Sequence, residues 1–167
     1  MKEEVSDIPR RKPMTEIDHA NWPADLADIQ SLFQEYAQSL GVDLSFQDFA
    51  AEVAALPGKY LPPAGRLLVA RHGAHIVGCC GLRPLVGNVC EMKRLYVQPQ
   101  ARGGQLGLRL AVRILEEARE AGYGSICLDT LPTMAKAQSL YASLGFVPIA
   151  PYVFNPVQGT QFLGRDL

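Results

Sequence analysis

The sequence has little of what marks metal, disulfide or membrane proteins. Its 167 residues include three histidines (His19, His72, His75) and four cysteines (Cys79, Cys80, Cys90, Cys127). No CxxC pair occurs and the histidines complete no zinc spacing, so no metal is expected. Each cysteine lies in an apolar, strand-like stretch, which predicts reduced, buried thiols. No apolar segment follows the charged first residues, so the expectation is a cytoplasmic protein with no secretory leader. The longest uncharged run, Ala137 to Gly164, is broken by Gly145, Pro148, Pro151, Pro156 and Gly159. It cannot form one membrane-crossing helix, so no membrane partner is expected. A surplus of one charge is missing too: 16 Lys and Arg against 17 Asp and Glu leave a net −1, which argues against a general nucleic-acid binder. Repeats and low-complexity segments are absent. With 48% apolar and 20% charged residues, the composition excludes a disordered, collagen-like or disulfide-dense chain.

The charge is unevenly spread. Between Arg83 and Arg113 stand six cations (Arg83, Lys93, Arg94, Arg102, Arg109, Arg113) and one anion, Glu91, so this segment is +5 and the remainder −6. A basic centre in an acidic chain suggests a local anionic ligand.

Residues 1–13 read as a charged tail and 14–167 as one domain. A short strand is expected at Thr15–His19. Asn21 and Pro23 then open a helix whose Leu26, Ile29, Leu32, Phe33, Tyr36 and Leu40 recur at helical spacing until Gly41. Asp43 or Ser45 caps a second helix bearing Phe46, Phe49, Val53 and Leu56 and ending at Pro57-Gly58. The centre is sheet: Arg66–Arg71 and His75–Leu82 form a hairpin, and Asn88–Val97 follows as a third strand. A long amphipathic helix spans about Gly103–Ala121. Leu106, Leu110, Ala111, Ile114, Leu115 and Ala118 take one side, and Arg109, Arg113, Glu116, Glu117 and Glu120 the other. Ser125–Thr130 is a strand. Thr133 caps a last helix on which Met134, Ala137, Leu140, Tyr141 and Leu144 share a face, and Gly145-Phe146 stops it. Short strands lie near Phe146-Val147 and Gln161–Leu167. Strand–helix–strand–helix after residue 88 implies a parallel pair joined by a right-handed crossover. The whole is α/β, a mixed sheet with helices on both faces.

Chemistry concentrates in Tyr96-Val-Gln-Pro-Gln-Ala-Arg-Gly-Gly-Gln-Leu-Gly107. A strand ends, a proline breaks it, and a glycine-rich turn leads into the long helix. The first N–H groups of a helix have no partners within it, and its dipole adds partial positive charge there. This is an anion site suited to a pyrophosphate, with Arg102 at its mouth. It is neither a Walker loop nor GxGxxG.

The stretch Val97-x-Pro99-x-x-Arg102-Gly103-x-x-Leu106-Gly107-x-x-Leu110 resembles the acetyl-CoA motif of the GNAT superfamily of N-acetyltransferases. Ala137-x-x-Leu140-Tyr141-x-x-Leu144-Gly145-Phe146 is similar to the same family's A-x-x-L-Y-x-x-x-G-F ending, at a fitting distance. The two blocks cover roughly Glu91 to Val147, and the elements before them match the family's order. The resemblance implies the GNAT-like fold, with a cleft where two central parallel strands, Asn88–Val97 and Ser125–Thr130, splay apart.

It further implies an enzyme that moves acetyl from acetyl-CoA directly to the primary amine of a small molecule or peptide. Backbone groups of Leu95, Tyr96 and Val97 would pair with the pantetheine arm. The N–H groups of Arg102, Gly103, Gly104, Gln105, Leu106, Gly107 and Leu108 would hold the pyrophosphate. Tyr141 matches the tyrosine beside the cofactor sulfur; a phenol of pKa about 10 can protonate a thiolate of about 8.5. An acceptor amine of pKa about 10.4 must lose a proton, and Glu91, then Asp129, are the candidate bases. Glu91 is otherwise a salt-bridge partner of Lys93 or Arg94, and Asp129 a cap for the last helix.

Two positions depart from the pattern. Gln105 stands where the motif has glycine, so its side chain either crowds the pyrophosphate or adds a hydrogen bond. Met134 replaces a frequent asparagine and offers apolar packing to the pantetheine. The Gln105 departure keeps open a second reading, an acyl-CoA-binding sensor with weak turnover. Acceptor choice falls to Leu26–Tyr60 and Ala150–Gly164, where Tyr36, Phe46, Phe49, Tyr60, Tyr152 and Phe154 line a pocket or fill the core. The exposed sheet ends suggest a homodimer.

Overall fold

The computed structural model describes residues 14–167; the stretch read as a charged tail lies outside them. In chain order the elements are β1 (Glu16–His19), α1 (Leu26–Leu40), α2 (Phe49–Ala54), β2 (Arg66–His72), β3 (His75–Pro84), β4 (Val89–Val97), α3 (Leu106–Glu120), β5 (Ser125–Thr130), α4 (Ala135–Ser143), β6 (Val147–Pro148) and β7 (Gln161–Asp166). The strands form one sheet in the order β1-β2-β3-β4-β5-β7-β6. Only β4 and β5 run parallel, joined by α3; the other neighbours are antiparallel.

Alternation along the strands feeds two cores, because successive side chains point to opposite faces. Leu68, Ala70, Cys80, Leu82, Cys90 and Met92 face α3 and Tyr141 of α4. Leu67, Val69 and Cys79 face Ile29, Leu32 and Phe33 of α1 and Phe49 and Val53 of α2. Each fully buried Leu, Ile or Phe side chain contributes about 1.5–3 kcal/mol. All four cysteines are free and buried, as their strand-like surroundings suggested.

Several local expectations change. The second helix is broken in two: a 3-10 turn covers Ser45–Gln47, Asp48 takes φ +52°, and α2 starts only at Phe49. Phe46, Phe49, Val53 and Leu56 keep helical spacing across the break, so periodicity does not reveal it. The long helix starts at Leu106 rather than Gly103, because Gly103, Gly104 and Gln105 have φ of +102°, +66° and +60°. Met134 rather than Thr133 precedes α4, without a capping side chain. Glu117, assigned to the polar side of α3, is buried and gathers Arg66, Arg113 and His19 at 2.9–3.0 Å.

Candidate active site

The parallel pair at the centre of the sheet is short. β4 and β5 pair only at Val89–Ser125, Cys90–Ile126 and Glu91–Cys127, and beyond these the strands part. A bulge in β4 accompanies the parting. Lys93 pairs with Gly81 and Tyr96 with Cys79, so Arg94 and Leu95 together oppose Cys80. Arg94 carries the extra residue's strain at φ +59°. A bulge turns neighbouring side chains to one side of the strand. Here Lys93 Nζ and Arg94 Nη1 both reach Gln47 Oε1, at 3.4 and 2.9 Å.

The parted strands open a cleft lined by Tyr36, Leu95, Leu128, Asp129, Met134 and Tyr141 among others. Tyr141 is buried, packs edge-on against Phe146 at 5.7 Å, and makes no hydroxyl hydrogen bond within the described residues. Burial holds its pKa far above the ordinary tyrosine value, so the phenol stays protonated and able to donate. Met134 meets the cleft beside it and lies 3.9 Å from Thr130 Oγ1. Tyr96 is buried instead, edge-on to Tyr36 at 6.0 Å.

The start of α3 is open. No side chain caps it, and the first helical bond runs from Arg109 N to Gln105 O at 2.9 Å. A Cβ at Gly103, Gly104 or Gly107 would meet nothing within 4 Å, so a ligand can approach this backbone. Arg102 is at the mouth, with its Nε on Val97 O at 3.0 Å.

Four of the other cations of the +5 segment do not gather there. Arg83 bonds Glu91 and Glu52, at 2.9 and 3.1 Å. Arg94 bonds Glu52 and stacks over Tyr36 and Phe49. Lys93 faces Asp129. Arg113 pairs with Glu117, and Arg109 donates to Thr15 O at 2.9 Å. Summed charge along a segment says nothing of where strand alternation sends each side chain. The positive field at the loop therefore comes from Arg102, the helix dipole and Arg109 on the first turn of α3.

The two carboxylates differ in freedom. Glu91 is 1% exposed and held by Arg83 Nε at 2.9 Å and Tyr152 Oη at 2.6 Å; its partner is Arg83, not Lys93 or Arg94. Asp129 lines both the cleft and a second cavity of about 210 Å³ walled by Phe46, Gln47, Arg83, Val153 and Phe154. Asn155 Nδ2 donates to its Oδ2 at 3.1 Å, and Lys93 Nζ lies 3.8 Å from its Oδ1. It caps no helix. Among the aromatics offered for the acceptor side, Tyr36, Phe46 and Phe154 face these cavities. Phe49 packs under Arg94, and Tyr60 packs edge-on to Phe33.

Sequence reasoning passed over Asn155, took Lys93 as one cation of the basic segment or a salt-bridge partner of Glu91, and took Tyr152 as a pocket wall or a core residue. Nothing in spacing marks Asn155, since its loop between β6 and β7 has no periodicity. The bulge that brings Lys93 beside Arg94 leaves no sequence signature either. The thiols are poor nucleophiles here. Burial pushes Cys79 and Cys90 up to about 12 and Cys127 up to about 11. Among the described residues no group of three His, Cys, Asp or Glu side chains is placed to hold a metal ion, and no helix is long and apolar enough to cross a membrane.

Comparison with known proteins meets this geometry. The family model described as "Acetyltransferase (GNAT) family" matches residues 26–146. An uncharacterised N-acetyltransferase of Schizosaccharomyces pombe is 44% identical over 148 residues, covering 87% of this chain and 90% of that protein. A GNAT-family acetyltransferase from Staphylococcus aureus superposes with a TM-score of 0.76 at 21% identity, over 92% of this chain and 99% of that one. An acetyltransferase of Salmonella typhimurium, solved with its cofactor acetyl-CoA, gives a TM-score of 0.64 at 22% identity, over 91% and 93% of the chains.

Proposed function

The chain belongs to the GNAT acetyltransferase family and is an acetyl-CoA-dependent acyltransferase, and from that premise we propose that it transfers the acetyl group directly to the primary amine of a small molecule or peptide. The observation that carries the reading is the parting of β4 and β5 beside the uncapped start of α3. Backbone groups of Leu95, Tyr96 and Val97 take the pantetheine arm, with Arg102 leaving Val97 O to admit it. The N–H groups of Arg102 through Leu108 take the pyrophosphate. Leu95 and Met134 pack against the arm.

Asp129 removes one proton from the acceptor ammonium. The neutral amine attacks the thioester carbonyl; the C–N bond forms and the C–S bond breaks. Tyr141 donates a proton to the leaving thiolate and is resupplied from the amine's second proton, so one proton is released in all. Glu91, locked by Arg83 and Tyr152, holds the loop that carries Asn155. Residues 14–167 act as one domain, the buried thiols support a cytoplasmic setting, and the exposed Val147 beside the sheet edge supports a homodimer.

The test is release of CoA thiol from acetyl-CoA against a panel of primary amines, with Tyr141→Phe as control. Turnover that drops in the variant is expected. Tight CoA binding with no turnover across the panel favours the sensor reading, and absence of CoA binding overturns both.

A further inference from the structure

Lys93 is a buried amine with too few partners. Its side chain is 7% exposed, and an ammonium carries three donors and no acceptor. Around it stand Gln47 Oε1 at 3.4 Å and Asp129 Oδ1 at 3.8 Å, the latter beyond hydrogen-bond reach. A buried charge with incomplete hydrogen bonds is unfavourable unless something completes them. Burial pulls the Lys93 pKa down; the nearby Glu91 and Asp129 oppose that, and Arg94 and Arg83 add to it.

Lys93 and Asp129 line the same two spaces, the cleft and the cavity of about 210 Å³ beside it. They thus present a cation and an anion side by side, at a spacing comparable to that of the ammonium and carboxylate that share one carbon in an α-amino acid. A zwitterion laid head-to-tail on this pair satisfies both. Its ammonium reaches the carboxylate of Asp129, whose other oxygen is fixed by Asn155, and its carboxylate supplies the acceptors that Lys93 lacks. The remaining wall is mixed: Phe46, Val153 and Phe154 stand beside Gln47, Asp48 and the Arg83–Glu91 pair.

Resting on the acetyl-transfer reading above, we propose that the acceptor is a free α-amino acid, its carboxylate held by Lys93 and its ammonium by Asp129. A peptide N-terminus has an amide where this site offers a cation, and is a poor acceptor. Lys93 therefore determines specificity, while Asp129 does the proton transfer.

The experiment first measures acetyl-CoA binding by calorimetry. It then compares kcat/KM for L-leucine and L-phenylalanine with their α-amides and with 2-phenylethylamine. The free amino acids are expected to exceed the amides and the amine by about 10²-fold. Lys93→Met is expected to bring that ratio near unity by raising KM for the amino acids, with the parent's circular dichroism and acetyl-CoA affinity. Should the variant fold poorly, the ratio in the parent protein decides alone. Equal or better use of the amides or the amine overturns the inference and leaves the acetyl-transfer reading standing. Bound acetyl-CoA with no turnover of any amino acid also overturns it. Failure to bind acetyl-CoA removes the reading on which it rests.

Discussion

Tyr152 donates its phenolic proton to Glu91 Oε2 at 2.6 Å, across 61 residues of sequence. The bond ties the loop before β7 to the middle of the sheet, where Glu91 is already paired with Arg83. Tyr152→Phe leaves a buried carboxylate oxygen without its donor, and a loss of about 1–3 kcal/mol is expected. Urea unfolding of the two proteins measures it. Unchanged stability would show that water replaces the phenol at no cost.

Tyr141 faces the cleft with its hydroxyl unbonded, so removing that oxygen breaks no hydrogen bond among the described residues. Tyr141→Phe should leave the melting temperature near that of the parent while kcat for acetyl transfer falls about 10²-fold. Steady-state kinetics at saturating acetyl-CoA, with a parallel thermal melt, separates the two effects.

Gln105 is held at φ +60° just before α3. A left-handed backbone costs an L-residue about 1–2 kcal/mol, part of which glycine returns through its greater freedom when unfolded. Gln105→Gly is therefore expected to stabilise the protein by about 0.5–1 kcal/mol. It also opens the loop, so CoA binding by calorimetry should be at least as tight. Weaker binding would mean that the glutamine side chain itself contacts the phosphates.

Burial raises the Cys79 and Cys90 thiols to about 12 and Cys127 to about 11, against about 8.5 for a free thiol. Above that free value the unfolded chain loses these protons and the folded one keeps them. The stability they contribute is full below pH of about 8.5 and is lost as pH rises toward their folded values. Urea midpoints should therefore fall steadily between pH 8.5 and 11. A disulfide-exchange reagent at pH 8 should label the thiols only when urea is present.

Much of this was legible in the sequence because it rests on local rules. The stripe Leu106, Leu110, Ile114, Ala118 identifies α3, and Gly41 and Gly145 end α1 and α4, since helical period and left-handed stops act within a few residues. The two GNAT blocks placed Tyr141 and the turn before α3. What escaped is long-range or aperiodic. The charge count read Arg83, Lys93 and Arg94 as one basic cluster for phosphates, whereas Arg83 on β3 pairs with Glu52 and Glu91, and the bulge at Arg94 sets Lys93 and Arg94 among Gln47, Glu52 and Asp129. Asn155 reaches Asp129 from a loop whose course depends on the whole sheet. Glu117 sat at a polar position by period, yet His19, Arg66 and Arg113 from three separate elements converge on it.

The parting of β4 and β5 leaves unpaired backbone inside the sheet rather than at its rim. An open rim invites a strand from another molecule and hence aggregation. A gap flanked on both sides by bonded strands admits no such intruder, because a whole polypeptide strand would have to prise the molecule in two. A slender chain bearing amide groups, such as pantetheine, meets no such obstacle. The missing stretch of ladder thus works as a sieve, keeping hydrogen-bonding capacity available to a small donor molecule while denying it to other proteins.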